Sequence, residues 1–315
     1  MYLSMKQTHL IAALKLLCIA VPTYMVGSML YMNNEPTRHF IDRMTSRRRH
    51  PLTSQWASPT VHSCADPSGI LYGIFTTSSK MAQRQVFREK MAPHPNVTVR
   101  FIIGTPDSED DFLQLSAEQA AFGDIMILDC MENMNEGKTY TYFRSASPCF
   151  SNYIKADDDT AVSLERLHAL FSRLDASKPK CIGRIMYPTG IISMSHIFAA
   201  WLRNRFANMD WYYAVKQLPA GMLYGLNRAT VQKLSKTNLG PEEISGDEDR
   251  RTAFMMQEMG VEFVDVGAIF HDHPAYRPWF IDTWSMDISN QTVAVHKCKT
   301  VSLLIDAFEK ISRQN

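Results

Sequence analysis

From residue 70 onward the chain alternates short apolar runs with stretches of helical spacing. Ile70 to Phe75 is a continuous apolar run and predicts a strand. Lys80 to Met91 has helical spacing and is stopped by Pro93. Val97 to Ile103 predicts a second strand, closed by Gly104 and Pro106. Helix is expected over Asp110 to Ala121, strand over Asp124 to Leu128, and helix over Gly137 to Ala146. A fourth strand follows at Phe150 to Ile154. Val162 to Leu174 then places Leu164, Leu167, Leu170, Phe171 and Leu174 on one helical face. Strands alternating with helices imply an α/β fold with a largely parallel sheet covered on both faces, its ligand site at the carboxyl ends of the strands.

The second half is less regular. Strands are expected at Cys181 to Met186, Leu223 to Leu226 and Glu262 to Val266. Helices are expected at Asn227 to Lys236, Asp249 to Met259 and Val301 to Ile311. His271 to Pro278 reads as a polar loop, and His296 follows the short apolar run Val293 to Val295.

The N-terminal part follows neither rhythm. Residues 10–32 are nearly all apolar or small, with Lys15 the only formal charge. A helix of about 20 such residues spans a bilayer core, and Lys15 lies near enough to one end to snorkel. We expect an uncleaved signal-anchor helix there, after a short cytoplasmic tail over residues 1–9. A cleaved signal peptide is the alternative, but no small-x-small cleavage site is obvious. Residues 33–69 carry Pro36, Pro51, Pro59 and Pro67 among many Ser, Thr and Arg, and read as a stem. Residues 70–315 would then form the lumenal domain.

Composition narrows the partners. Net charge is +1 over 315 residues, so no basic face for nucleic acid is implied. Asn96-Val97-Thr98 and Asn290-Gln291-Thr292 are glycosylation sequons, so Asn96 and Asn290 are candidate acceptors. Beyond the anchor the cysteines are Cys64, Cys130, Cys149, Cys181 and Cys298. Five is odd, so at least one is free or bridges to another chain.

The densest chemistry lies at Lys155-Ala156-Asp157-Asp158-Asp159-Thr160, where three carboxylates follow a buried strand. Adjacent like charges repel, and a hard divalent cation is a natural reliever. Mg²⁺ or Mn²⁺ held this way keeps positions open for substrate phosphates. An acidic surface turn is the plainer alternative.

Several ordered motifs accompany this run. They are Arg84-Gln85-Val86-Phe87-Arg88, Phe101-Ile102-Ile103-Gly104, Glu118 with Phe122-Gly123-Asp124-Ile125, Asn135-Glu136-Gly137-Lys138-Thr139, Lys155 with Asp157-Asp158-Asp159, Leu218 to Leu226 around Gly221, Glu248-Asp249, and Val293-Ala294-Val295-His296-Lys297. In this order, from about Ile70 to Lys299, the chain resembles glycosyltransferase family 31, the beta-1,3-galactosyltransferase-like enzymes that include the fringe and core-1 types.

That resemblance implies a GT-A-type domain with a Rossmann-like nucleotide-binding half. It also implies an inverting hexosyltransferase that takes galactose or N-acetylglucosamine from a UDP-sugar to a hydroxyl of a glycan on protein or lipid. The expected linkage is beta-1,3, and the expected setting is the Golgi membrane, single-pass type II. Asp159 is then the first candidate metal ligand and His296 the second, a set that suits Mn²⁺ better than Mg²⁺. Asp157 would contact the ribose or sugar, with Asp158 between these roles. Attack by an acceptor hydroxyl needs a general base. Asp249 is the candidate, with Glu248 to orient or replace it; an N-terminal helix-capping carboxylate is the bland reading of Asp249. Arg84 and Lys155 are candidate donor contacts, Arg88 a surface ion-pair partner, and Gly221 a point of close backbone approach to sugar or acceptor. Trp201, Trp211, Tyr212 and Tyr213 are acceptor-stacking candidates, although such aromatics more often build a core. His271, Asp272 and His273 read as a polar loop rather than a second metal site.

Two other functions compete. An acidic-motif phosphohydrolase is disfavoured because Ala161 stands where Thr or Val is needed. A membrane-anchored inactive homologue that chaperones a sister transferase is the non-enzyme alternative.

Overall fold

The computed structural model describes residues 69–146, 149–173, 177–187, 214–276 and 284–314. The expected tail, anchor and stem up to residue 68 lie outside the described residues, as do Trp201, Trp211, Tyr212 and Tyr213. Among the described residues no helix is long and apolar enough to cross a membrane.

The first half follows the alternation. It runs β1 (Ile70–Phe75), α1 (Met81–Lys90), β2 (Val97–Thr105), α2 (Glu109–Phe122), β3 (Ile125–Met131), α3 (Lys138–Ser145) and β4 (Asn152–Asp157). All six residues of β1 are buried, as expected of a central strand covered on both faces. Ser108 caps α2 by accepting from the Asp111 amide, and three acids fill its first turn, where the helix dipole favours them. Gly123 ends the helix at φ 67, a left-handed conformation that glycine adopts at little steric cost.

Beyond β4 come β5 (Ala161–Val162), α4 (Leu164–Phe171), β6 (Lys180–Met186), β7 (Leu218–Asn227), α5 (Arg228–Ser235), α6 (Pro241–Ile244), α7 (Glu248–Glu258) and β8 (Glu262–Asp265). A short 3₁₀ turn at Gly267–Ile269, β9 (Phe270–Asp272), β10 (Ala294–His296) and α8 (Val301–Ser312) complete the chain. α4 starts two residues later than its periodicity predicts, because Val162 pairs with Ala294 of β10. The expected loop at His271 instead begins as strand β9, paired with β10.

The main sheet has the order β3-β2-β1-β4-β7-β6-β8. Its pairings are parallel except where β7 lies antiparallel between β4 and β6, so the expected parallel sheet is a mixed one. The reversal matters for the site. Leu223 of β7 pairs with Ala156 of β4, so the start of β7, with Gly221, flanks the acidic end of β4.

Hydrophobic clusters cover both faces. One contains Tyr72, Phe87, Phe101 and Phe308; the other contains Phe75, Tyr142, Phe143 and Tyr224. Phe87 meets Phe101 and Phe308 edge to face at 6.1 and 5.4 Å, holding α1 and α8 against β2. Cys130, Cys181 and Cys298 are free thiols, and Cys149 is disulfide-bonded.

Candidate active site

β4 does not stop at Ile154. Lys155 and Ala156 are buried in the strand, and Asp157 is its last residue. The turn is closed by the Thr160 amide donating to Asp157 O at 3.1 Å. The three carboxylates then point to different partners. Asp157 takes Lys155 Nζ at 2.8 Å, Asp158 takes Lys80 Nζ at 2.8 Å, and Asp159 meets Lys299 and His296. Their mutual repulsion is thus relieved by three ammonium groups, and charge crowding alone does not require a cation.

The donor geometry carries the case for a cation instead. One donor atom from each of Asp157, Asp159 and His296 falls within 4.8 Å of the others. His296 Nε2 lies 3.3 Å from Asp159 Oδ1 and 3.9 Å from Asp157 Oδ2. Both buried oxygens of Asp159 are engaged only by cationic side chains, Oδ1 by His296 and Oδ2 by Lys299. Two hard carboxylates and one imidazole fit a divalent cation with sites left for substrate. Burial raises the proton affinity of Asp159, but His296 and Lys299 outweigh it and hold the group well below the carboxylate range. Burial pulls His296 the other way from its anions, and Asp159 and Asp272 push it up to about 9.

A small sheet joins these residues. β10 pairs antiparallel with β5 and parallel with β9, and the Cys298 amide donates to Asp159 O at 3.0 Å. The acidic turn and His296, far apart in sequence, are therefore fastened through backbone.

Glu248 and Asp249 open α7. The Glu248 amide is capped by Asn135 Oδ1 at 3.2 Å. Its carboxylate accepts from Thr139 Oγ1 at 2.7 Å and Tyr224 OH at 2.9 Å, with Lys155 Nζ at 3.5 Å. Burial raises Glu248, but Lys155 and these hydrogen bonds prevail and hold it below the ordinary value. Asp249 is raised well above its ordinary value by burial and by the Glu248 charge, which Lys155 only partly offsets. Lys155 is the hinge of this arrangement. Burial would depress it, yet Asp157, Glu248 and Asp249 hold it well above the lysine range.

One cavity of about 520 Å³ is lined by Asp157, His296, Lys155, Gly221, Glu248 and Asp249 together with Asp247, Asp272, Trp284 and Lys297. It lies where β4 ends, at the carboxyl edge of the parallel strands.

Gly221 lines the cavity, and a Cβ on it would fall 2.3 Å from Asp249 Oδ1, so its bare face accommodates this chain's own carboxylate. Two sequence expectations need correction. Asp158 is paired with Lys80 and is not one of the clustered donors Asp157, Asp159 and His296. Arg84 is 1% exposed and forms a bidentate pair with Glu118 at 2.8 and 2.7 Å, while donating to the carbonyls of Thr77 and Ser78. It ties down the loop after β1 and has no free group for a donor. Arg88 joins the same cluster through Glu118 and Asp124.

Removing a partner from a buried pair typically costs about 3–5 kcal/mol. Arg84→Ala is expected near the lower end, because Arg88 still reaches Glu118 at 2.7 Å. Urea unfolding checks this; full stability with lost donor binding would restore the donor role.

Asn96 and Asn290 are exposed turn residues outside the cavity lining. Thr139, Tyr224, Lys299 and Trp284 carried no assigned role in sequence, and Asp272 was read only as part of a polar loop. Thr139 and Tyr224 had a signal, since both fall within motif segments quoted for their neighbours.

The fold and cleft define a mixed α/β domain with a carboxylate–imidazole cluster facing a buried carboxylate pair. The chain belongs to the galactosyltransferase family, whose profile matches residues 82–266, more than half of the chain. It is 25% identical over 139 residues to the beta-1,3-galactosyltransferase pvg3 of Schizosaccharomyces pombe (strain 972 / ATCC 24843); that match covers 42% of this chain and 36% of the relative. Similar solved structures include the galactosyltransferase LgtC in complex with donor and acceptor sugar analogs. It shows a TM-score of 0.41 and 12% identity, with coverage of 78% of this chain and 96% of that one. Another is the mannosyltransferase PcManGT from Pyrobaculum calidifontis in complex with GDP-Man and Mn²⁺, with a TM-score of 0.38, 13% identity and coverage of 67% and 59%.

Proposed function

We propose that this chain is an inverting, metal-dependent hexosyltransferase with a GT-A-type domain. It moves galactose or N-acetylglucosamine from a UDP-sugar to a glycan hydroxyl, in a beta-1,3 linkage, from a lumenal domain anchored in the Golgi membrane by residues 10–32. Family membership supports the reaction class. One observation carries the mechanism: Asp157 and His296 of the cation-competent cluster line the same cavity as the buried Glu248–Asp249 pair.

Asp157, Asp159 and His296 would hold Mn²⁺, or Mg²⁺. When bound there, the cation supplies Lewis-acid stabilisation of the charge that grows on the departing diphosphate. Asp249 receives the proton of the acceptor hydroxyl as its oxygen bonds to the anomeric carbon. The bond from that carbon to UDP breaks, and its electron pair leaves with UDP. Glu248 keeps the proton affinity of Asp249 high. Lys155 fixes Asp157 relative to Glu248 by contacting both carboxylates and the Gly221 carbonyl.

The test is UDP release by the full-length protein in detergent, with UDP-galactose and UDP-N-acetylglucosamine, Mn²⁺ and a panel of glycan acceptors. One donor should dominate, acceptor should stimulate turnover, and chelation should abolish it. No release from either donor, with either cation and every acceptor, would overturn the proposal.

A further inference from the structure

His296 is gripped from its far side. Its Nδ1 lies 3.0 Å from Asp272 Oδ1, and Asp272 is 3% exposed. The two residues are register partners on β10 and β9, so strand pairing itself sets them opposite each other. The Asp272 amide donates to Trp284 O at 2.7 Å, and the His273 amide donates to His296 O at 2.8 Å. The second oxygen of Asp272 takes Lys297 Nζ at 2.9 Å. Lys297 has φ 60, a left-handed conformation that residues with a Cβ seldom adopt. That turn brings its ammonium back to the carboxylate already holding the preceding residue, 4.4 Å from the Tyr276 ring.

We infer that Asp272 is the positioning residue of His296 and that Lys297 is the clamp that aims Asp272. The inference rests on the reading that Asp157, Asp159 and His296 hold a divalent cation. With Nδ1–H donated to Asp272, Nε2 faces Asp159 and Asp157, and its lone pair becomes available there when the cation displaces the Nε2 proton. The ring is also spared a search among rotamers when the cation arrives. Such carboxylate support behind a ligating imidazole typically accounts for about 10- to 100-fold in metal affinity.

The experiment is a Mn²⁺ titration of the full-length protein without donor, following free Mn²⁺ by its paramagnetic resonance signal. Wild type is compared with Asp159→Ala, Asp272→Ala, Asp272→Asn and Lys297→Met, and each variant is checked for folding by its unfolding midpoint. Asp159→Ala should abolish binding. Asp272→Ala should weaken it about 10- to 100-fold. Asp272→Asn, which keeps a weaker acceptor for Nδ1–H, should fall between Asp272→Ala and wild type with an unchanged midpoint. Lys297→Met should lose less than Asp272→Ala. Wild-type affinity in folded Asp272→Ala overturns the inference. If that variant does not fold, wild-type affinity in Asp272→Asn does the same. Absence of Mn²⁺ binding by wild type itself, matching Asp159→Ala, instead sinks the cation reading on which the inference stands.

Discussion

Asp249→Asn is expected to lower acceptor-dependent transfer about 10²- to 10⁴-fold, the usual contribution of a positioned general base. Mn²⁺ and UDP-sugar binding should stay near wild type, since Asp249 is not among the clustered donors Asp157, Asp159 and His296. The competing view makes Asp249 a helix-terminal carboxylate whose task is to complement the dipole of α7. That role is worth about 0.3–1 kcal/mol of stability and gives no reason for a catalytic loss. Removal of a buried carboxylate with raised proton affinity should therefore change the unfolding midpoint little. Rate and stability separate the two roles: an Asn variant with normal turnover and a lowered midpoint would make Asp249 a cap.

The same pair predicts a pH response. The base must be ionised to accept the hydroxyl proton, so transfer falls as pH drops through its pKa. Burial and the Glu248 charge raise that pKa, and the acid limb of kcat/KM should lie above the ordinary carboxylate range. Glu248→Gln removes the raising charge and should shift the limb toward lower pH. A shift in the opposite direction would assign the limb to another group.

Asp159→Ala should abolish measurable Mn²⁺ binding and reduce transfer about 10³-fold, on the basis of several kcal/mol of lost charge stabilisation. The effect should exceed that of an equivalent change at Asp158, which is turned toward Lys80. The scaffold should survive, because the contact that ties this turn to β10 runs through the Asp159 backbone carbonyl. The informative comparison is transfer against Mn²⁺ concentration for the two alanine variants. If their curves are identical, Asp159 does not hold the cation.

Much of the first half was legible in sequence because its cues are local. Ile70 to Phe75 is a short, nearly continuous apolar run of strand length, and all six of its residues are buried. Ser108 and Gly123 bracket α2 by short-range chemistry, a side-chain cap and a left-handed glycine. The site was harder to read. Arg84 resembled a phosphate contact because a charge on a helix looks available; its burial against Glu118, 34 residues away, has no local sign. Gly221 was legible as a place where a Cβ is forbidden, but the group that forbids it, the Asp249 carboxylate, is contributed by another element.

Residue order alone was enough for the alternation of strands and helices, for the acidic run at the end of β4 and for the list of residues with chemistry. Such properties depend on neighbours a few positions away, where backbone propensity and hydrophobic spacing act. Tertiary structure decided which carboxylate faces which cation, because those contacts are set by strand order and register. The reversal of β7 puts Gly221 beside Asp157, and the β5-β10-β9 sheet brings His296 to Asp159 and Asp272 to His296. Coulomb interactions and hydrogen bonds act over a few ångströms of space whatever the separation along the chain, so partners such as Lys155 with Glu248 emerge only once the sheet is assembled.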